Sequence, residues 1–215
     1  MLGQPSEALE QYRKILPRQP DRALLHDRLG RAYVAAGQLD SAEVALRKAI
    51  DLNPDSSLAY YPLARLYEKW DQPDRAEQTY RHLLHYQPDH LAGLCHLADL
   101  LLRRDARADA AGHLQKALDL DPDNIHALRS TGKLEANQGQ YQSALQRFER
   151  ILQLVPQDLQ ARRSLAHLLL KTDQRERADT EYERYRNIKR QRQMQQQTME
   201  KTQELAEQLR HQFKR

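Results

Sequence analysis

The chain has 215 residues, of which 40% are hydrophobic and 30% charged, so it can bury a core while leaving most helix surfaces polar. Its one cysteine, Cys95, excludes an internal disulfide and any zinc site built from cysteines. The net charge of +4 comes from residues 184–215, which carry a surplus of six positive charges and leave −2 on the rest, so the basic pI alone does not indicate nucleic-acid binding.

The first predicted helix covers residues 6–16 and stops ahead of Pro20-Asp21. Proline cannot continue a helix, and the Asp that follows can cap the next one, so this pair ends one helix and starts another. Prolines then recur at a constant spacing of 34 residues, as Pro20, Pro54, Pro88, Pro122 and Pro156. A fixed period without insertion or deletion is the signature of a repeat protein.

Each later unit is predicted to hold two helices, because small and large apolar residues recur at fixed places within it. A column of alanines marks the second helices, and a large apolar residue follows each of them four positions later. These alanines are Ala42, Ala76, Ala110, Ala144 and Ala178. The first helices carry a Gly or Ala where two helices would cross, as in Leu29-Gly30. We therefore predict complete units at 23–56, 57–90, 91–124, 125–158 and 159–187.

These columns resemble the tetratricopeptide repeat (TPR) family up to about residue 187. The family's order of Leu-Gly, Tyr, Ala, Ala and Pro is matched by Leu29-Gly30, Tyr33, Ala42, Ala49 and Pro54. The resemblance implies an all-α fold, a right-handed α-solenoid of tandem antiparallel helix hairpins. Residues 1–22 would then be a half repeat with a second helix only. We expect the chain to be a piece of a longer protein, and the alternative is that this helix acts as a cap.

Two units depart from the pattern. Pro62 lies in the first helix of unit 57–90, where it is expected to remove a hydrogen bond and kink the helix. Thr131 and Glu135 stand where apolar residues belong in unit 125–158, which predicts a looser hairpin.

Residues 188–215 predict a basic, Gln-rich helical extension of the last second helix, since no Gly or Pro follows Pro156. A partly apolar seam runs along it through Ile188, Met199, Leu209 and Phe213. Such a seam predicts weak self-association, and a solvated helix is the favoured interpretation.

The TPR resemblance also implies a ligand surface, because in that family the first helices line the concave side of the superhelix and hold partner peptides there. Mapping the ligand-facing repeat positions onto this chain selects Arg31, Tyr61, Arg65, Lys69, Arg103, Arg129, Lys133, Arg163, His167 and Lys171. Basic residues outnumber acids on this face, so we expect an acidic protein or peptide as partner. The alternative is a set of solvated helix faces without a ligand.

The favoured function is a protein–protein interaction scaffold that is not an enzyme. The glycines are spread singly, so no phosphate-binding loop is formed, and His82 and His85 lack the acidic partners of a metal motif. We therefore expect no cofactor, metal or small-molecule substrate. The alternatives are a recruiting module of a larger TPR-containing enzyme and an RNA-binding helical repeat, which is disfavoured because Tyr61 is nearly alone as an aromatic on the face.

Two further expectations follow. The family's clamp for chaperone C-terminal carboxylates is disfavoured, because its positions hold Asp27, Arg31, Pro62, Ala92 and His96. No apolar run approaches the length of a membrane span and no signal sequence is present, so a cytoplasmic location is expected. A periplasmic or membrane-anchored location would apply if an N-terminal segment is missing.

Overall fold

The structure, a computed structural model, describes residues 5–55 and 57–212 and is all-helical over those ranges. The helices are α1 (Pro5–Ile15), α2 (Ala23–Ala35), α3 (Leu39–Leu52), α4 (Tyr60–Lys69), α5 (Pro73–Tyr86), α6 (Leu91–Arg103), α7 (Arg107–Leu120), α8 (Ile125–Asn137), α9 (Tyr141–Leu154), α10 (Leu159–Lys171) and α11 (Arg175–Gln212). A 3-10 turn, Leu16–Arg18, follows α1.

The chain divides into two compact units. The N-terminal unit, Met1–Pro122, contains α1 to α7, and the C-terminal unit, Asp123–Arg215, contains α8 to α11. Within each unit every first helix packs on the second helix that follows it, and each hairpin packs on the next in chain order. The predicted class, an α-solenoid of tandem helix hairpins ending in an extended helix, is confirmed.

From α3 onward the second helices start at 34-residue intervals, and the turns that precede them are built in the same way. One residue of every turn has a positive φ, and the backbone N–H that follows it donates to a carbonyl in the last turn of the first helix. Examples are Gln38 to Tyr33 at 2.9 Å and Gln140 to Glu135 at 2.8 Å. The positive-φ residues are Gly37, Asp71, Asp105, Gly139 and Asp173. Gly favours this conformation and Asp tolerates it, which explains the turn composition.

The small residues mark the places where helices approach most closely. The alanines of the second-helix column, Ala42, Ala76, Ala110, Ala144 and Ala178, are all fully buried. In the first helices, a Cβ on Gly30 would lie 2.6 Å from Cγ of Leu46, and one on Gly132 would lie 3.0 Å from Cε2 of Phe148. The large residues of the partner helix therefore fill the space that a side chain would need.

Helix α4 accommodates Pro62 differently from what the sequence predicts. It begins at Tyr60, whereas the repeat period would start it at residue 57. Pro62 consequently lies in the first turn, whose N–H groups have no acceptor within a helix. The N–H of Leu63 already reaches the carbonyl of Ala59 at 3.2 Å, so the expected loss of an interior hydrogen bond does not occur.

The hairpin of α8 and α9 has an apolar interior with polar atoms trapped beside it. Phe148 and Ile151 are buried, and Arg147 Nε lies 3.3 Å from Glu135 Oε1. However, Thr131 Oγ1 and Glu135 Oε2 are buried and have no hydrogen-bond partner. Unpaired buried polar atoms are unfavourable, so this hairpin loses stability through polar burial while its apolar side chains remain packed.

The two terminal helices differ in how much of their surface is covered. In α1, Leu9 is buried against Leu29 and Ala45. Helix α11 runs unbroken to Gln212, and its side chains are exposed from residue 191 wherever they are described. Of the predicted seam, the side chain of Leu209 and all of Phe213 lie outside the described residues. No helix in the described ranges is both long and apolar enough to cross a membrane.

Candidate functional site

The first helices of the N-terminal unit form a cleft of about 850 Å³, here called the N-terminal cleft. Helices α2, α4 and α6 all contribute to it. It is lined by Arg31, Val34, Tyr61, Pro62, Arg65, Leu66, Glu68, Lys69, Asp71 and Arg103. Five of the ten residues selected from the sequence therefore lie together, namely Arg31, Tyr61, Arg65, Lys69 and Arg103.

Two arginines of the N-terminal cleft are already paired with acids of the chain. Arg31 Nε donates to both carboxylate oxygens of buried Asp27, at 2.9 and 3.0 Å, and its Nη2 donates to the carbonyl of Leu58 at 2.6 Å. Arg65 Nη1 donates to Glu68 Oε2 at 2.5 Å. Lys69 and Arg103 form no ion pair with any described residue. Two of the four basic residues in this cleft are therefore compensated by acids of the chain, and two are not.

Glu68 is the centre of a polar network at the base of the N-terminal cleft. It accepts a hydrogen bond from Tyr80 Oη at 3.1 Å and also lies 3.5 Å from His96 Nδ1. Burial alone would raise the pKa of Glu68, but His96, Arg65 and Tyr80 outweigh it and lower that pKa below its ordinary value. Glu68 is thus held as a carboxylate.

The tautomer of His96 determines whether its Nδ1 forms a hydrogen bond with Arg65 or with Glu68. Its Nδ1 lies 3.1 Å from Arg65 Nη1 and 3.5 Å from Glu68 Oε2, and one nitrogen cannot accept from the first while donating to the second.

Tyr61 provides an aromatic surface in the same cleft. Its ring centroid lies 5.0 Å from that of His90, 5.9 Å from that of His96 and 6.3 Å from that of Tyr80. Burial is the main reason why the pKa of Tyr61 is raised, so its hydroxyl is protonated at neutral pH.

The C-terminal unit has its own cleft of about 550 Å³, here called the C-terminal cleft. It is lined by Lys133, Ala136, Asn137, Phe148, Arg163, Ser164, His167, Leu168 and Tyr182. Three residues selected from the sequence, Lys133, Arg163 and His167, lie in it.

The basic residues of the C-terminal cleft are not compensated. Lys133, Arg163 and His167 are exposed and form no ion pair or hydrogen bond with any residue that the structure describes. The lining contains no Asp or Glu. Its inner wall is apolar, with Phe148 and Leu168 buried. An anion that enters this cleft meets unpaired positive charge beside an apolar surface.

The two clefts are built on the same repeat positions. Adding three repeat lengths to residues of the N-terminal cleft gives residues of the C-terminal cleft, so that Arg31 corresponds to Lys133, Tyr61 to Arg163 and Arg65 to His167. The same holds for Val34 and Ala136, Pro62 and Ser164, and Leu66 and Leu168. The chain therefore presents equivalent clefts that differ in side chains.

Arg129 and Lys171 lie outside both clefts. Arg129 Nη2 contacts Asp158 Oδ2 at 2.5 Å, and Asp158 Oδ1 caps α10 by accepting from Ala161 N at 2.8 Å. Arg129 therefore supports a helix start. Lys171 is exposed at the end of α10 and has no ion-pair partner among the described residues.

Sequence reasoning missed the side chains that second helices contribute to the C-terminal cleft. Phe148 and Tyr182 belong to the column of large residues that follow the second-helix alanines by four positions, and the sequence did not place them on the ligand face. Both line the C-terminal cleft together with two small first-helix residues, Ala136 and Ser164. In the sequence, the small residues at these two positions were the feature that could have indicated this contribution.

The thiol of Cys95 and the possible metal ligands are the other side chains with reactive or coordinating groups. Burial raises the pKa of the Cys95 thiol to about 11, so the thiol is protonated at neutral pH. Over the part of the chain that the structure describes, no three His, Cys, Asp or Glu side chains lie close enough together to hold a metal ion.

Several solved structures have the same fold as this chain. YrrB, described as a TPR protein with an unusual peptide-binding site, is 20% identical with a TM-score of 0.72 and covers 84% of this chain and 93% of its own. PilF of Pseudomonas aeruginosa is 22% identical with a TM-score of 0.67, covering 86% and 78%. A TPR protein from Parabacteroides merdae is 20% identical with a TM-score of 0.72, covering 86% and 74%. At these identities the likeness shows the fold alone.

The family models match the sequence itself. No curated protein matches this chain. The model described as the cytochrome c-type biogenesis protein H TPR domain matches residues 38–162, more than half of the chain. Two further tetratricopeptide repeat models match residues 2–57 and 136–201. Such repeats support a general role as a protein-interaction scaffold. The chain belongs to the tetratricopeptide repeat family.

Proposed function

We propose that the chain is an interaction scaffold that holds an acidic peptide segment of a partner protein against its first helices. The observation that carries this proposal is the unpaired positive charge of Lys133 and Arg163 in the C-terminal cleft. Unpaired cations in a cleft attract anions more strongly than cations that are already neutralised by neighbours. Lys69 and Arg103 add unpaired charge in the N-terminal cleft.

The shapes of the clefts support a peptide rather than a flat protein surface. Each cleft is concave, has a volume suited to a few side chains, and combines apolar wall with a small number of polar groups. YrrB, which has the same fold, is described as having a peptide-binding site.

Charge reversal of Lys133→Glu with Arg163→Glu tests the proposal. The probe is a fluorescein-labelled peptide in which a central Phe is flanked by Asp and Glu, and its binding is followed by anisotropy at several salt concentrations. We expect the parent to bind with an affinity that falls as salt rises, and the double variant to bind at least about tenfold more weakly. Both residues are exposed, so the fold should be retained.

The matched control reverses two exposed lysines of second helices, Lys14→Glu with Lys48→Glu, which changes the net charge by the same amount. It should bind within about twofold of the parent, because these lysines lie outside both clefts. Failure of the parent to bind the peptide even at low salt, or an equal loss in both double variants, would overturn the proposal.

The remaining expectations from the sequence stay predictions. The absence of catalytic activity and the cytoplasmic location are both of this kind. Fractionation of cells that express the tagged parent protein tests the location, and recovery with the periplasmic or membrane fraction would contradict it.

No contact in either cleft favours RNA over an acidic peptide.

A further inference from the structure

Glu68 gives the N-terminal cleft a carboxylate of its own. It is bound there by Arg65 at 2.5 Å, three residues earlier on α4, and by Tyr80 at 3.1 Å on α5. Tyr80 is fully buried, so this carboxylate lies deep against the hairpin. The N-terminal cleft thus shows where an anion lies when these repeat positions bind one.

The C-terminal cleft keeps hydrogen-bonding groups at those positions but lacks the carboxylate. Three repeats further along, His167 replaces Arg65 and Tyr182 corresponds to Tyr80. Glu68 is replaced by Leu170, which is 45% exposed. His167 and Tyr182 have no hydrogen-bond partner among the residues described. The C-terminal cleft therefore contains hydrogen-bonding groups that can bind a carboxylate, but its lining contains no carboxylate.

Two further features of the C-terminal cleft suit a carboxylate from outside the chain. Lys133 and Arg163 place unpaired positive charge on the same lining. Phe148, Leu168 and Ala136 supply apolar wall next to it, where burial of an apolar side chain is favourable. The N-terminal cleft has Val34 in place of Ala136, which leaves less room at that position.

We propose that the C-terminal cleft binds a bulky apolar residue of the partner together with an adjacent carboxylate, which takes the place that Glu68 occupies in the N-terminal cleft. Tyr182 and His167 donate hydrogen bonds to this carboxylate, and Arg163 and Lys133 provide the positive surroundings. This inference rests on the proposed function and adds which cleft anchors the peptide and which residue type it accepts.

Leu170→Glu tests the inference directly, because it restores the carboxylate that the other cleft carries. Its new side chain should engage His167 and Tyr182, as Glu68 engages Arg65 and Tyr80, and should weaken binding of the labelled Phe-containing acidic peptide about tenfold. Leu170→Gln has the same size without the charge and should bind within about twofold of the parent. Tyr182→Phe should weaken binding about threefold.

A control separates this local effect from a general change in charge. Leu120→Glu introduces the same charge at a second-helix leucine that is also 45% exposed, and it should leave binding within about twofold of the parent. Equal binding by Leu170→Glu and the parent, or an equal loss in Leu120→Glu, would overturn the inference. Since both leucines are exposed, loss of the fold is not expected, and thermal melting of each variant checks this.

The apolar part of the inference is tested by the peptide. Replacing its central Phe by Gly should weaken binding to the parent about tenfold, and equal binding of the two peptides would contradict the assignment of Phe148 and Leu168. The two proposals fail in different ways. If Lys133→Glu with Arg163→Glu loses binding while Leu170→Glu does not, the scaffold proposal stands and this inference is wrong.

Discussion

At the scale of single residues, one repeat position shows how side-chain chemistry starts a helix. His90, Asn124 and Asp158 precede α6, α8 and α10 at intervals of 34 residues. Each side chain accepts a hydrogen bond from the backbone N–H three residues later, at 2.9, 3.0 and 2.8 Å. Three different residue types therefore perform the same capping function.

The cap formed by His90 is predicted to make stability depend on pH. Burial lowers the pKa of His90 below its ordinary value of 6.5, and Nδ1 accepts from Gly93 N only while it carries no proton. The contribution, about 1 kcal/mol, should be complete above pH 6.5 and lost as the pH falls through the lowered pKa.

Urea unfolding at neutral and mildly acidic pH measures this effect. His90→Asn should match the parent near neutral pH and be more stable than the parent in acid, because Asn caps without titrating. His85→Asn, at an exposed histidine, should follow the parent throughout. An identical acid loss in the parent and in His90→Asn would rule out the cap as its cause.

Which charges are available to a ligand could not be predicted from the repeat pattern alone. Arg65 and Arg129 both occupy ligand-facing positions, yet Glu68 pairs with the first and Asp158 with the second. Whether an acid reaches a given arginine depends on side-chain geometry between neighbouring turns and hairpins. Periodicity identifies the residues of the ligand-facing side, but which of them form ion pairs can be seen only in the structure.

At the scale of helices and turns, the sequence predicts most of the architecture. The constant spacing of the prolines and alanines predicts the second helices, which start at Leu39, Pro73, Arg107, Tyr141 and Arg175. The late start of α4 is the exception. Residues 57–59 form a turn ahead of Pro62, since a proline is favourable in the first turn of a helix and unfavourable within it.

The positive-φ turns predict that substitutions at two equivalent positions change the free energy of unfolding in opposite directions. Gly139 has a φ of 77° and Asp173 a φ of 57°. Gly139→Ala should lower the free energy of unfolding by about 1 kcal/mol, whereas Asp173→Gly should raise it by roughly 0.5 kcal/mol. Nothing lies within 4 Å of a Cβ built on Gly139, so a steric clash would not explain the loss.

Chemical denaturation of both variants beside the parent measures these differences. The exposed Gly112 within α7 supplies a control, because Gly112→Ala adds the same methyl group to a helix interior and should stabilise the protein. A stabilising effect of Gly139→Ala would contradict the described turn.

At the scale of the whole molecule, repetition explains both the fold and the candidate site. A half-buried hairpin gains its core only from its neighbours, so stability is distributed along the array. The same periodicity places equivalent clefts on the first helices of each unit, and substitutions at a few positions then differentiate them. Glu68 is bound by Arg65 and Tyr80 in the N-terminal cleft, whereas the equivalent residue beside the C-terminal cleft is the exposed Leu170.

Zero-length carbodiimide cross-linking tests most directly whether acidic peptides bind on the first helices. This reagent joins a carboxylate to a lysine only when the two are in contact, and mass spectrometry then locates the lysine. We predict that the labelled acidic peptide becomes attached to Lys133 in the C-terminal cleft, with Lys69 as the next site. Attachment confined to Lys14 and Lys48 on the second helices, or to Lys189 in the extension of α11, would contradict the account.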